Sequence, residues 1–205
     1  ERLESLGQVQ YNPHDREFAP QKLQEALQDI DIVCTGWNTE RLDEFTLKNA
    51  DKLKLHVHIG GSVANYVSDM LIDRGVKIIS GNDVFARSVA EGCLTYILFS
   101  LRRLDKYIQD MKICGWKDDN DTDYYGLIGK KVGIVGYGAI AGYLCELLKP
   151  FGVQILIHSS HISDATLNKI GAQKSSLDEL FKSCDIISIH SALNEKTEGM
   201  IDKSL

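Results

Sequence analysis

Residues 132–142, V-G-I-V-G-Y-G-A-I-A-G, constrain the fold of this chain more than any other segment. Gly136, Gly138 and Ala141 fit the spacing G-x-G-x-x-G/A. The spacing alone is a weak signal, but its setting is specific. Residues 132–135 read as a strand leading into it, 140–148 as a helix leading away, and 153–157 as the next strand. In such a β-α-β unit Gly136 permits the tight turn, Gly138 lets the backbone approach a pyrophosphate, and Ala141 is small enough for the helix to pack on the strand. The phosphates then meet the N–H groups of Gly138, Ala139 and Ile140 at a helix N-terminus, with Tyr137 in the turn beside them. The expected ligand is a dinucleotide, NAD or NADP. A tight turn that binds nothing is the plainer alternative.

The second strand of such a unit ends in an acid that holds the adenosine ribose diol. Here it ends in Ile157-His158-Ser159-Ser160-His161, and the next acid, Asp164, stands further into the loop. Ser159 therefore occupies the ribose position. Without a carboxylate nothing repels a 2′-phosphate, and Ser159, Ser160 and a nearby His can donate to it, although no Arg is there to pair with it. NADP is permitted and not demanded.

Upstream, strands and helices alternate. Residues 31–35, 55–59 and 76–80 read as strands, and 7–10 as the edge of another. Residues 20–27 read as a short helix. A further helix carrying Leu42, Phe45 and Leu47 begins at Asn38 or Thr39. Ser62 caps a third, with Val63, Tyr66, Val67, Met70 and Leu71 on one face and Gly75 as its left-handed end. The alternation predicts an α/β architecture with parallel sheets. Residues 87–111 are apolar around most of the circumference and read as one long helix at a domain junction, with apolar surface enough for a two-fold homodimer. Residues 117–126 read as a polar loop, whose acids lack the central Gly and distal Glu of a calcium loop. From residue 131 the pattern is β-α-β-α-β, with a helix at 177–181 and a strand at 185–190. Three strands are half of a doubly wound sheet, so the sequence is expected to be cut short after Leu205. The expected domains are 1–85 and 86–205, separated by a cleft.

Composition narrows the function classes. A formal net charge of -6 without a long basic run argues against nucleic acid as the main partner. No apolar stretch reaches the ~18 residues of a membrane span, so no membrane partner is expected. Five cysteines, an odd number with no C-x-x-C pair, argue against a zinc site or a disulfide framework and for a reducing, cytoplasmic setting. His56 and His58 share a strand face, but no third ligand joins them, so no metal is expected.

Four segments resemble the D-isomer-specific 2-hydroxyacid dehydrogenases. Arg87-Ser88-Val89-Ala90-Glu91 is similar to the S-V-A-E motif that opens the family's interdomain helix. Residues 129–140 resemble the strand and glycine turn that follow it. Asp185 to His190, then Ser191-Ala192-Leu193, resembles D-x-x-x-x-H-x-P-L, with Ala192 where proline is usual. Thr197 and Met200-Ile201-Asp202 resemble the T-x-x-M-I-N continuation. The resemblance implies a flavodoxin-like substrate domain ahead of a Rossmann nucleotide-binding domain. It implies hydride transfer between a 2-hydroxy acid and NAD or NADP, giving a 2-oxo acid. On the cofactor side it implies Val89, His190, Ser191, Ala192 and Thr197 in addition to the glycine turn. On the substrate side it implies the loop Gly60-Gly61-Ser62, whose amides would face a carboxylate. Two glycines before a helix N-terminus suit an anion in any case, and a plain strand-to-helix turn is the alternative. The family's catalytic Arg, Glu and His are expected beyond Leu205. A non-enzymatic dinucleotide sensor of the same family, a corepressor-like protein, is the rival reading.

Overall fold

The computed structural model describes residues 2–116 and 125–205, and the chain divides into two compact units, Glu1–Asn82 and Asp83–Leu205. Of the polar loop read at 117–126, all but Tyr125 and Gly126 lies outside the described residues, as does the question of calcium there.

In the first unit, helix α1 (Pro20–Ala26) precedes strands β1 (Ile32–Thr35) and β2 (Leu55–His58), helix α2 (Asp69–Asp73) and strand β3 (Lys77–Ser80). The strands are parallel in the order β1-β2-β3. A run of neighbours in chain order is what one arm of the flavodoxin-like order 2-1-3-4-5 contains. Leu23, Leu27, Leu42, Leu47, Leu53 and Leu71 fill the core beside this sheet.

Three expectations fail in this unit. Residues 7–10 form no strand. Residues 39–47 form no helix: Leu42 is taken into a bridge, and from 44 the chain turns, where the Asp43 carboxylate accepts from the Phe45 and Thr46 amides and closes a side-chain turn. The helix expected from Ser62 begins only at Asp69, after Ser68, whose hydroxyl accepts from the Leu71 amide. Residues before it are diverted: Tyr66 O accepts from Leu42 N at 2.9 Å, and Val67 bridges to Leu42. Tertiary pairing thus outcompetes the helical pattern of Val63–Val67 while keeping Leu42 and Leu71 buried. Gly75 does end α2 with a φ of 71°.

The second unit opens with α3 (Asn82–Leu101) and α4 (Leu104–Lys112), where one long helix was expected. The break is at Arg103, which is left-handed with φ 49°. Leu101 O accepts from Tyr125 N at 2.8 Å, so it is engaged by the returning chain at the point where a continuous helix would need it. By length and composition α3 is apolar enough to cross a membrane, against the expectation that no stretch reaches that length. Its charges, Asp83, Arg87 and Glu91, recur every fourth residue. Ala90 and Ile97, with Cys93, Leu94, Leu98 and Leu101, pack into the core of the unit.

The sheet that follows runs β4 (Lys131–Val135), α5 (Ala139–Leu148), β5 (Gln154–His158), α6 (Asp164–Ile170), β6 (Ala172–Lys174), α7 (Leu177–Ser183) and β7 (Ile186–Ile189). All pairings are parallel, in the order β6-β5-β4-β7. Four strands stand where three were read. The missed one, Ala172-Gln173-Lys174, is too short and polar to register as an apolar run. Its helix α6 is bounded by a Ser163 cap and by Gly171 at φ 71°. This order is the first four strands of the Rossmann order, 3-2-1-4.

The period of two along β4 separates the faces. Val132 and Ile134 join Leu144, Leu148, Ile155 and Leu167 in one core. Gly133 faces the other way, where a Cβ would stand 2.6 Å from Leu180 Cγ on α7. Helices therefore cover both faces. The chain winds outward from β4 to β6 on one, then returns by α7 across the other to set β7 beside β4. Between the carboxyl ends of β4 and β7 lies the switch point, where such sheets leave a crevice.

Candidate functional site

Gly136 ends β4 at this switch point with φ 85°, and its N–H donates to His158 O at the end of β5, 2.8 Å away. A Cβ there would lie 2.6 Å from Ser191 N and 2.7 Å from Ser191 Cα. The glycine turn and the His190–Ser191 backbone are thus in direct contact, and the fold requires glycine here. Gly138 is different. It is the N-cap of α5, supplies no side-chain cap, and a Cβ on it would meet no protein atom within 4 Å. The first N–H groups of α5, at Ala139 and Ile140, have no partner within the helix. They stand at the positive end of the helix dipole, next to the open space at Gly138, which suits a diphosphate. Ala141 is fully buried, and Tyr137 folds over α5, its hydroxyl 3.4 Å from the Cβ position of Gly142.

Ser159 follows β5 and is half-buried. Its hydroxyl accepts from His161 N at 3.3 Å, which leaves its own proton free to donate. Asp164 belongs to the first turn of α6, away from the strand end.

The D-x-x-x-x-H run clamps β7 to β4 at both ends. The Asp185 carboxylate accepts from Lys131 N at 2.9 Å and Lys130 Nζ at 3.0 Å, and those bonds hold its pKa below the usual carboxylate value. His190 N donates to Val135 O at 2.7 Å. The His190 ring lies 2.8 Å from Ser188 Oγ, and burial lowers its pKa, so it is neutral at pH 7. Beyond it, Thr197 Oγ1 donates to Ala192 O at 2.6 Å and accepts from Asn194 N at 2.9 Å, closing the loop that carries Ala192. Val89 stands exposed on α3. The structure therefore brings the Gly136 turn against the His190–Ser191 backbone and the end of β5 ahead of Ser159, with Ala141 buried, while Gly60, Gly61 and Ser62 belong to the other unit. A contact missed in the sequence ties α3 to α5: Tyr143 Oη donates to Asp83 Oδ1 at 3.0 Å, and the Arg87 guanidinium lies 5.1 Å from the Tyr143 ring centre. The four-residue spacing of Asp83 and Arg87 was the available signal.

In the first unit, the turn Gly60-Gly61-Ser62 follows β2. No helix begins at it, so the expected helix dipole is absent, and Ser62 Oγ accepts from Ala64 N at 3.4 Å. Among the described residues the N–H groups of Gly60, Gly61 and Ser62 donate to nothing. Beneath the turn, Thr35 Oγ1 lies 2.7 Å from His56 Nε2 and 2.9 Å from His58 Nδ1. The hydroxyl thus occupies the space between the two rings, and among the described residues no group of three or more metal-ligating side chains gathers.

Burial, and then the neighbouring His58, lower the His56 pKa from 6.5 to about 4. Between those values the unfolded chain binds a proton that the folded unit refuses. Stability is therefore full above pH 6.5 and falls as pH drops towards 4, by about 3 kcal/mol if His56 acts alone. Urea unfolding at pH 7 and pH 4.5 checks this. The loss should shrink clearly in His56→Gln, whose side chain cannot titrate.

Residues 94–205 match the family model described as the NAD binding domain of D-isomer specific 2-hydroxyacid dehydrogenases. Over 98% of its length the chain is 26% identical to a glyoxylate reductase of Pyrococcus furiosus, and it spans 61% of that protein. It is 28% identical to a D-3-phosphoglycerate dehydrogenase of Mycobacterium bovis across 89% of the chain, which is 34% of the relative. A solved Granulicella formate dehydrogenase superposes with a TM-score of 0.69 at 28% identity, covering 84% of this chain and 47% of that one. The chain thus spans less than two thirds of the curated relatives it matches.

Proposed function

The chain belongs to the D-isomer-specific 2-hydroxyacid dehydrogenases, and from that premise we propose that the whole protein interconverts a 2-hydroxy acid and its 2-oxo acid with NAD or NADP. The observation that carries the reading is the open space at Gly138 over the uncapped start of α5. A serine or aspartate there would cap the helix better, so glycine is explained by a ligand that needs the room.

Gly136, Tyr137, Gly138, Ala139, Ile140 and Ala141 would hold the pyrophosphate, through the amides from Gly138 to Ile140. Ser159 would take the adenosine ribose. Val89, His190, Ser191, Ala192 and Thr197 would line the nicotinamide half. Bound there, the dinucleotide supplies the hydride acceptor or donor. The amides of Gly60, Gly61 and Ser62 would bind the substrate carboxylate. The acid–base Arg, Glu and His that the family implies are assigned to no residue of this chain. The relatives' names are those of enzymes, and no comparison favours the sensor reading. Tyr96, Leu104, Ile108 and Met111, all exposed on α3 and α4, support a homodimer through these helices. The five free cysteines fit a cytoplasmic setting.

The test uses the full-length protein. It should oxidise NADH or NADPH with a small 2-oxo acid such as glyoxylate, and bind the two reduced cofactors within about tenfold of each other. Ser159→Asp should shift the preference towards NAD, by a ribose contact and by repulsion of the 2′-phosphate. Bound dinucleotide without turnover of any 2-oxo acid would favour the sensor. A strong NAD preference that Ser159→Asp leaves unchanged would show that another residue reads the ribose.

A further inference from the structure

Two histidines in the middle of a parallel sheet need a reason, because valine or isoleucine would pack there without polar atoms. Both rings are fully buried, and neither His56 Nδ1 nor His58 Nε2 has a hydrogen-bond partner among the described residues. A buried nitrogen without a partner costs stability and is uncommon. The inner nitrogens share the Thr35 hydroxyl. The hydroxyl has one proton, and among the described residues no other acceptor for it is at hand, so it donates to one ring and accepts from the other. Neutral imidazole prefers its proton on Nε2. That preference selects the order in which His56 Nε2–H donates to Thr35 and Thr35 donates to His58 Nδ1. His58 then carries its proton on Nε2, the atom nearest the turn.

The position of that atom is the second observation. A Cβ on Gly60 would be 2.8 Å from Trp37 Nε1 and 2.9 Å from His58 Cδ2, and closer still to His58 Nε2. Gly60 therefore rests on the edge of the His58 ring. The ring is held at Nδ1 by Thr35, and its face stacks on Tyr66 with centroids 4.3 Å apart. Tyr66 in turn accepts from Asn38 N at 3.3 Å. The path of the turn is fixed from below, while among the described residues the amides of Gly60, Gly61 and Ser62 donate to nothing.

We infer that His58, oriented by Thr35 and His56, is a positioning residue for the turn Gly60-Gly61-Ser62, holding its amides in place for the carboxylate of a 2-oxo or 2-hydroxy acid. The role rests on the reading of this turn as the carboxylate site. His58 touches no substrate; it acts through Gly60, and the Nε2–H dipole beside the turn adds to its attraction for an anion.

The test reads the turn directly, by ¹H–¹⁵N spectra of the full-length protein titrated with glyoxylate. In the wild type the amide signals of Gly60, Gly61 and Ser62 should shift, and the ring ¹⁵N signals of His58 should move with the same half-point. Thr35→Val removes the hydroxyl at nearly constant shape and should raise the half-point about tenfold, the scale of one lost hydrogen bond. Thr35→Ser keeps the hydroxyl and should behave as wild type. Should Thr35→Val fail to fold, the wild-type ring signals decide: if they stay still while the amides shift, the positioning role is overturned. Half-points within about twofold in all three proteins would overturn it as well. Turn amides that ignore glyoxylate in the wild type would overturn the carboxylate reading of the turn, and the role with it.

Discussion

Gly136→Ala is expected to destabilise the second unit by about 4 kcal/mol, from two independent causes. The first is conformational. Gly136 has a φ of 85°, where a residue with a Cβ is strained by about 1–3 kcal/mol. The second is steric. The new methyl would lie 2.6 Å from Ser191 N and 3.0 Å from His190 C, which are backbone atoms and not the tip of a side chain that can swing away. Relief would require β7 to leave β4, breaking the 2.7 Å bond from His190 N to Val135 O. Forced overpacking of this kind adds about 1–3 kcal/mol. A melting temperature lower by roughly 10–20 °C should follow, with loss of dinucleotide binding. Gly152→Ala is the control. Gly152 has a φ of 59° but open space around its Cβ position, so it should show only the conformational cost, about 1 kcal/mol. Equal melting of the two variants would show that the Ser191 backbone yields easily, and that the contact between turn and β7 is loose.

The glycine turn was legible in the sequence because its requirements are local. A strand, two glycines at fixed spacing and a helix with Ala141, Leu144, Cys145 and Leu148 buried on one face are all written within residues 131–148. The Asp185 and His190 pair was legible as a motif, but its physical work was not, since both ends act on β4, more than fifty residues away. The failures share that origin. Val63 to Leu71 has a good helical pattern, yet Tyr66 and Val67 pair with Leu42, a partner no window contains. Arg103 sits inside an apolar pattern that continues past it, and the break follows from Tyr125 taking the Leu101 carbonyl. Strand β6 is three residues long and polar, and it exists because β5 offers an edge beside it. In the first unit the spacing of His56 and His58 showed that they share a face. That Thr35 bridges them depends on the register of β1 with β2, which pairs Thr35 with His58.

Gly138→Ala should leave the fold intact and abolish its ligand, the reverse coupling from Gly136 two residues earlier. The backbone of Gly138 has φ -148° and ψ -162°, an extended conformation that alanine adopts without strain. Its Cβ would meet no protein atom within 4 Å. Alanine caps a helix less well than glycine, but it also restricts the unfolded chain, and these effects oppose each other at about 1 kcal/mol each. Stability should therefore change by less than about 1 kcal/mol. Binding has no such compensation. The methyl would project into the space above the Ala139 and Ile140 amides and hold a diphosphate away from them. Losing one or two charge-assisted hydrogen bonds, at about 1.5–3 kcal/mol each, lowers affinity by about tenfold for one weak bond and more than a hundredfold for two. Calorimetric titration with NADH, next to thermal unfolding of the same samples, reads both quantities. If Gly138→Ala binds NADH as the wild type does, the pyrophosphate does not sit on α5, and the open space at Gly138 is a feature of the turn alone. If affinity collapses while melting is unchanged, the second glycine is there for the ligand and the first for the sheet.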